Sequence, residues 1–198
     1  MHRIAQAARS AFWIWHMAVP HPPVVVLSSS EAAAVLEGRG AASIGAIISI
    51  HGRRESPLQT ANVARRLVLQ FDDTETPTGK DPIADYHLKL RQRRAVASGG
   101  AAPPTIEDAQ AIIGFARDIA GSGRPLLCHC QGGISRSPAA ALLCLTAWTG
   151  PGEEAYCVEY LRRVRPCAIP HRGLVAFGDE LLERGGQLID RLDAMRRY

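Results

Sequence analysis

Short aliphatic runs alternate along this chain with longer stretches in which apolar positions recur at helical spacing. Val24-Val25-Val26-Leu27 is the first run; Ser28-Ser29-Ser30 then offers caps for a helix over Glu31 to Glu37, and Gly38-Arg39-Gly40 ends it. Ile44 to Ile50 reads as a second strand closing at His51-Gly52. Arg66 to Phe71 alternates as a third, with Ser56 to Arg65 between them as helix or loop. Thr105 opens a helix in which Ile106, Ala109, Ile113 and Ala116 share one face. Pro125-Leu126-Leu127-Cys128 is a short buried strand, and Pro138 to Trp148 is rich in Ala and Leu like a helix. Glu153 to Val164 sets Ala155, Val158, Leu161 and Val164 on one stripe, and Gly173 to Arg197 is a further helix, interrupted or kinked around Gly185-Gly186.

Strands and helices alternating with crossovers of this length predict a single α/β domain: a central, mostly parallel sheet of about four to five strands with helices on both faces. Ligands in such sheets bind beyond the strand ends. Two segments fall outside the pattern. Residues 1–21 form an N-terminal extension whose apolar patch, with Trp13 and Trp15, is too short to span a membrane and lacks the form of a secretory signal; it is expected to pack on the domain. Residues 74–104 are an insertion with turn residues at Pro77-Thr78-Gly79 and Gly99-Gly100. Its middle carries His87, Lys89, Arg91, Arg93 and Arg94, either a solvated helix or a basic face near a site mouth.

Composition narrows the setting. A chain of 198 residues that is 46% hydrophobic and 21% charged can bury one proper core but hardly two. Its five cysteines are odd in number and lack zinc spacings, which points away from a secreted disulfide framework and toward a cytoplasmic protein. The net charge of +4 is mild, and no arginine stripe with aromatics suggests nucleic acid. Composition sets no oligomeric state.

The chemistry lies in His129-Cys130-Gln131-Gly132-Gly133-Ile134-Ser135-Arg136-Ser137, between a predicted strand and a predicted helix. A helix N-terminus presents unpaired N–H groups and partial positive charge, so residues 131–136 can hold an anion through the main chain. The same dipole favours a thiolate at Cys130, the candidate nucleophile. Arg136 adds a planar fork matching two phosphoryl oxygens. Ser137 can donate a hydrogen bond to the thiolate and support it as a leaving group. Cleavage of a monoester also needs a proton donor, and Asp72-Asp73, where the third strand turns into a loop, supplies two candidates.

The stretch resembles the signature loop of the cysteine-dependent protein tyrosine phosphatase superfamily, His-Cys-x2-Gly-x2-Arg-Ser/Thr, and more closely its dual-specificity-like branch. Phe71-Asp72-Asp73 resembles the family's acid loop, Arg165-Pro166 and Ile169-Pro170 its C-terminal helix connection, and the layout from about Pro22 onward that of small bacterial tyrosine phosphatases. The resemblance implies a phosphatase-like catalytic domain over 22–198. It also implies metal-free hydrolysis of a phosphate monoester through a phosphocysteine, with Asp73 as the acid, Gln131, Gly132, Gly133, Ile134, Ser135 and Arg136 around the phosphate, and the loop at His51 as a brace. Where the family often has Pro-Asn, this chain has Pro170-His171. The loop carries no lysine, unlike the strongly basic cradles of phosphoinositide phosphatases. The expected partner is a phosphorylated protein or a small phosphorylated substrate. A rhodanese-like sulfurtransferase, which needs no acid, and a phospho-residue binding module without turnover are the alternatives.

Overall fold

The computed structural model describes residues 21–37, 39–59, 63–77 and 81–195. The apolar patch of the N-terminal extension, the turn at Thr78-Gly79 and part of the Ser56–Arg65 segment lie outside them. Four strands, β1 (Val24–Ser28), β2 (Ala46–His51), β3 (Arg65–Gln70) and β4 (Leu126–Cys130), pair in the order β1-β4-β2-β3, and every pairing is parallel. All their C-terminal ends therefore lie on one edge. β4 is buried throughout and is flanked on both sides, as its Leu126-Leu127-Cys128 run requires, and His129 is buried with it. β3, at the sheet's edge, exposes Arg65 and Arg66 and so blunts that edge with charge.

Alternate side chains feed two cores. Ile48, Leu126 and Cys128 join the larger one; Ile47 and Leu127 join a smaller one on the opposite face. The small core is closed by α1 (Ser29–Glu37) and a 3-10 turn over Arg39–Ser43. The larger holds side chains from α3 (Ile106–Ile119), α4 (Arg136–Thr149), α5 (Glu154–Val164), α6 (Arg172–Leu181) and α7 (Gln187–Met195). α4 is buried from Arg136 to Thr146, which its small residues permit. α3 begins with a reciprocal capping box: Thr105 Oγ1 accepts from Asp108 N, and Asp108 Oδ2 accepts from Thr105 N. Between β3 and α3 lies α2 (Pro82–Ala97), within the segment 74–104, and it buries none of its residues. At the start of the described chain, His21 stacks on Trp148 and its Nε2 lies 3.1 Å from the Tyr156 hydroxyl. Among the described residues no helix is long and apolar enough to cross a membrane.

Candidate active site

Cys130 is the last residue of β4, and the chain after it folds into a loop that ends at the first turn of α4. Each carbonyl of that loop is engaged from outside. Cys130 O and Gln131 O accept from Ser29 Oγ and Ser29 N, at 3.2 and 3.3 Å. Gly132 O and Gly133 O accept from the Arg165 guanidinium, at 3.3 and 3.1 Å. Ile134 O accepts from Ile169 N at 2.7 Å, and Ser135 O from His171 N at 3.2 Å. Turning the carbonyls out turns the amides in, so the N–H groups of residues 131–136 face a common centre above Cys130. Gly133 is held at φ +66°, and a Cβ there would lie 2.7 Å from Leu27 C and Ser28 N. Only glycine fits that turn.

Cys130 is 2% exposed and accepts a hydrogen bond on Sγ from Ser137 Oγ at 3.2 Å. Beside it, Arg136 is buried and gripped by a residue that sequence reasoning missed. Arg136 Nη1 and Nη2 donate to Glu55 Oε2 and Oε1 at 3.1 and 2.8 Å, and Nη1 also donates to Phe71 O at 3.2 Å. Those three bonds leave, of the five donors, the Nε hydrogen and one on Nη2, which form a fork on the guanidinium's other edge. Nε is buried and has no hydrogen-bond partner among the described residues. Burial pushes the Glu55 carboxyl up, but the bonds from Arg136 and the Gly52 amide outweigh it and leave the group below its ordinary range. Glu55 follows β2, so the rule that ligand sites form at strand ends was the one signal for it. His51 itself bonds the carbonyl of its own neighbour Gly52, and the loop that follows it reaches Arg136 through Glu55, while Ser29, Arg165, Ile169 and His171 hold the carbonyls of residues 130–135. His129 is almost fully buried, and neither ring nitrogen has a hydrogen-bond partner among the described residues; burial, with His51 adding, pushes its imidazole down to about 4.

The two aspartates that follow β3 have separate places. Asp72 is a staple: its carboxylate accepts from Arg53 N and Ala102 N at 3.2 and 2.8 Å. Asp73 is exposed and reaches the catalytic loop, where Ser135 Oγ donates to its Oδ1 at 2.6 Å. His171 adds a second tie, its Nε2 donating to Thr74 O at 2.7 Å while its Nδ1 accepts from Leu174 N and caps α6. A Cβ at Gly173 would collide with Thr76, so the loop lies directly on the start of α6. From α2, Gln92 Nε2 donates to Glu75 O. Between this loop, α2 and α6 a cleft of about 720 Å³ opens beside Ser135 and Asp73. Among the described residues no group of His, Cys, Asp or Glu is placed to hold a metal.

No protein-family model matches the chain, and no curated protein matches it. Solved structures do. One described as Tk-PTP in the active form aligns over 83% of this chain and 95% of its own, with a TM-score of 0.52 at 18% identity. The chain has the phosphatase fold. The chain is also similar to human DUSP28, at 20% identity over 83% of this chain and 90% of that one with a TM-score of 0.44, and to the human tyrosine phosphatase-like serine/threonine/tyrosine-interacting protein, at 21% over 82% and 92% with a TM-score of 0.47.

Proposed function

We propose that the protein is a cysteine-dependent phosphate monoester hydrolase of the tyrosine and dual-specificity type. The observation that carries the reading is the Arg136 edge left free by Glu55, set beside Cys130 Sγ under a ring of inward amides. The amides and the fork bind the three terminal oxygens of the phosphoryl group and place phosphorus over sulfur. The Cys130 thiolate attacks, an S–P bond forms, the P–O bond to the leaving group breaks, and Asp73 gives its proton to the departing oxygen. Water then attacks phosphorus, Asp73 takes its proton, and the S–P bond breaks to return the thiolate, which the Ser137 hydroxyl stabilises. Persulfide chemistry uses no acid, whereas here Asp73 is tied at the loop's rim by a 2.6 Å bond.

Steady-state hydrolysis of aryl phosphates tests the reading. Cys130→Ser should abolish turnover while retaining phosphate binding, and Asp73→Ala should lower kcat roughly 10²-fold and flatten the limb of the pH profile that reports the acid. Turnover of thiosulfate and cyanide in place of aryl phosphate would overturn it, as would a Cys130→Ser form as active as the parent. Asp72→Ala showing the acid's behaviour would reassign that role.

A further inference from the structure

The cleft beside the catalytic loop is far larger than a phosphoryl group, and one of its walls is the insertion helix α2. We propose that it is a peptide subsite, taking the residues that flank a phosphorylated side chain and favouring an acidic one at Arg91. The inference rests on the phosphatase reading above. A volume of about 720 Å³ matches sites that enclose a substantial ligand, whereas the phosphoryl group itself is held by residues 130–136. Ile134 and Ile169, 44% and 56% exposed, offer apolar surface at the edge of the catalytic loop, and Leu88 of α2 lines the same space.

The charges select the ligand. Of the basic residues between 85 and 94, Arg91 alone lines the cleft. Arg172, the other lining cation, is forked onto Asp193 at 3.1 to 3.4 Å, and Arg91 has no such carboxylate partner among the described residues. Asp73, Glu75 and Asp85 also line the cleft. A multiply phosphorylated headgroup requires several converging cations and would meet all three carboxylates with most of its charge unmatched. An extended peptide with one acidic side chain requires a single cation and gains from the apolar walls, so a phosphopeptide fits and a phosphoinositide does not.

The test compares four substrates on the full chain at low salt: an aryl phosphate, a phosphotyrosyl peptide with acidic neighbours, its neutral counterpart, and a water-soluble phosphoinositide. The acidic peptide should have the highest kcat/KM. Arg91→Glu should lower the acidic-to-neutral ratio roughly fivefold, the loss of one exposed attraction and the gain of one repulsion. Leu88→Trp, which fills the cleft, should depress both peptides relative to the aryl phosphate. An acidic-to-neutral ratio that is the same in the parent and Arg91→Glu, or a phosphoinositide preferred over both peptides, would overturn the subsite. Calorimetric titration of the peptides into Cys130→Ser, with and without Arg91→Glu, reads the subsite without turnover. A missing aryl phosphatase activity would therefore sink the phosphatase reading alone.

Discussion

At the scale of single residues, His171 does the most with the least. Its amide holds the catalytic loop at Ser135 O, Nε2 holds the acid loop at Thr74 O, and Nδ1 caps α6. Since one ring nitrogen donates and the other accepts, only the neutral ring protonated on Nε2 satisfies both contacts. His171→Ala should therefore loosen Asp73, and the damage should grow as the leaving group becomes less acidic. We expect a loss of roughly threefold on p-nitrophenyl phosphate and more than about thirtyfold on an alkyl phosphate, within the range a general acid supplies. Kinetics across phosphates of graded leaving-group acidity measure this; a uniform loss would leave His171 as structural support only. Gly133→Ala is the complementary case, where a Cβ meets the β1 backbone at a positive φ, and thermal unfolding should show a loss of at least about 2 kcal/mol. Cys130, Arg136 and Ser137 were legible because nine consecutive residues carry them. Glu55 is 81 positions from Arg136, and Arg165 is 32 from Gly133. Nothing local marks either as a partner, since only the parallel sheet brings their loops to one edge.

Among the elements, α2 shows where pattern reading runs out. Helices elsewhere were legible from a buried face or, for α4, from a run of Ala and Leu; α2 buries no residue and carries apolar positions on opposite sides, so the sequence left its basic middle between a solvated helix and a basic face. The overlooked signal was its start. Asp81 accepts from Ile83 N and Ala84 N at 3.0 Å each, and Pro82 occupies the first turn, a cap and a proline in the order that begins helices. With so little packing, the cap matters more here than in a buried helix. Asp81→Ala should destabilise α2 by about 1 kcal/mol, raising amide exchange across Pro82–Ala97 several-fold while the melting of the sheet scarcely moves. Unchanged exchange there would show that contacts from the acid loop, such as Gln92 to Glu75 O, hold the helix instead. The C-terminal helices were legible even in their interruption: α6 ends at Leu181, α7 begins at Gln187, and the two glycines between take positive φ.

For the molecule as a whole, alternation of strand and helix conveyed the parallel sheet but left the strand order to the structure, and that order sets the acid response. β4 lies between β1 and β2, so His129 is sealed in the middle of the sheet with no hydrogen-bond partner among the described residues. Its imidazole titrates at about 4 in the folded chain against 6.5 when free, so between those values the unfolded chain binds a proton that the native chain does not. Stability is therefore lost as the pH falls from 6.5 toward 4, by up to about 1.4 kcal/mol per pH unit and about 3 kcal/mol over the window. Glu31 extends the slope. The Ser28 amide and the Arg165 guanidinium hold its carboxyl down at about 2, so its contribution is complete above 4.5 and disappears between 4.5 and 2. Because Arg165 also braces Gly132 and Gly133, acid should unpin the catalytic loop after it has weakened the sheet. Denaturant unfolding at pH steps from 7 to 3 separates the two. His129→Gln should flatten the limb above about pH 4.5 and leave the lower one, and Glu31→Gln should do the reverse. A His129→Gln protein with the parent's slope between pH 6.5 and 4.5 would move the acid sensitivity out of the centre of the sheet.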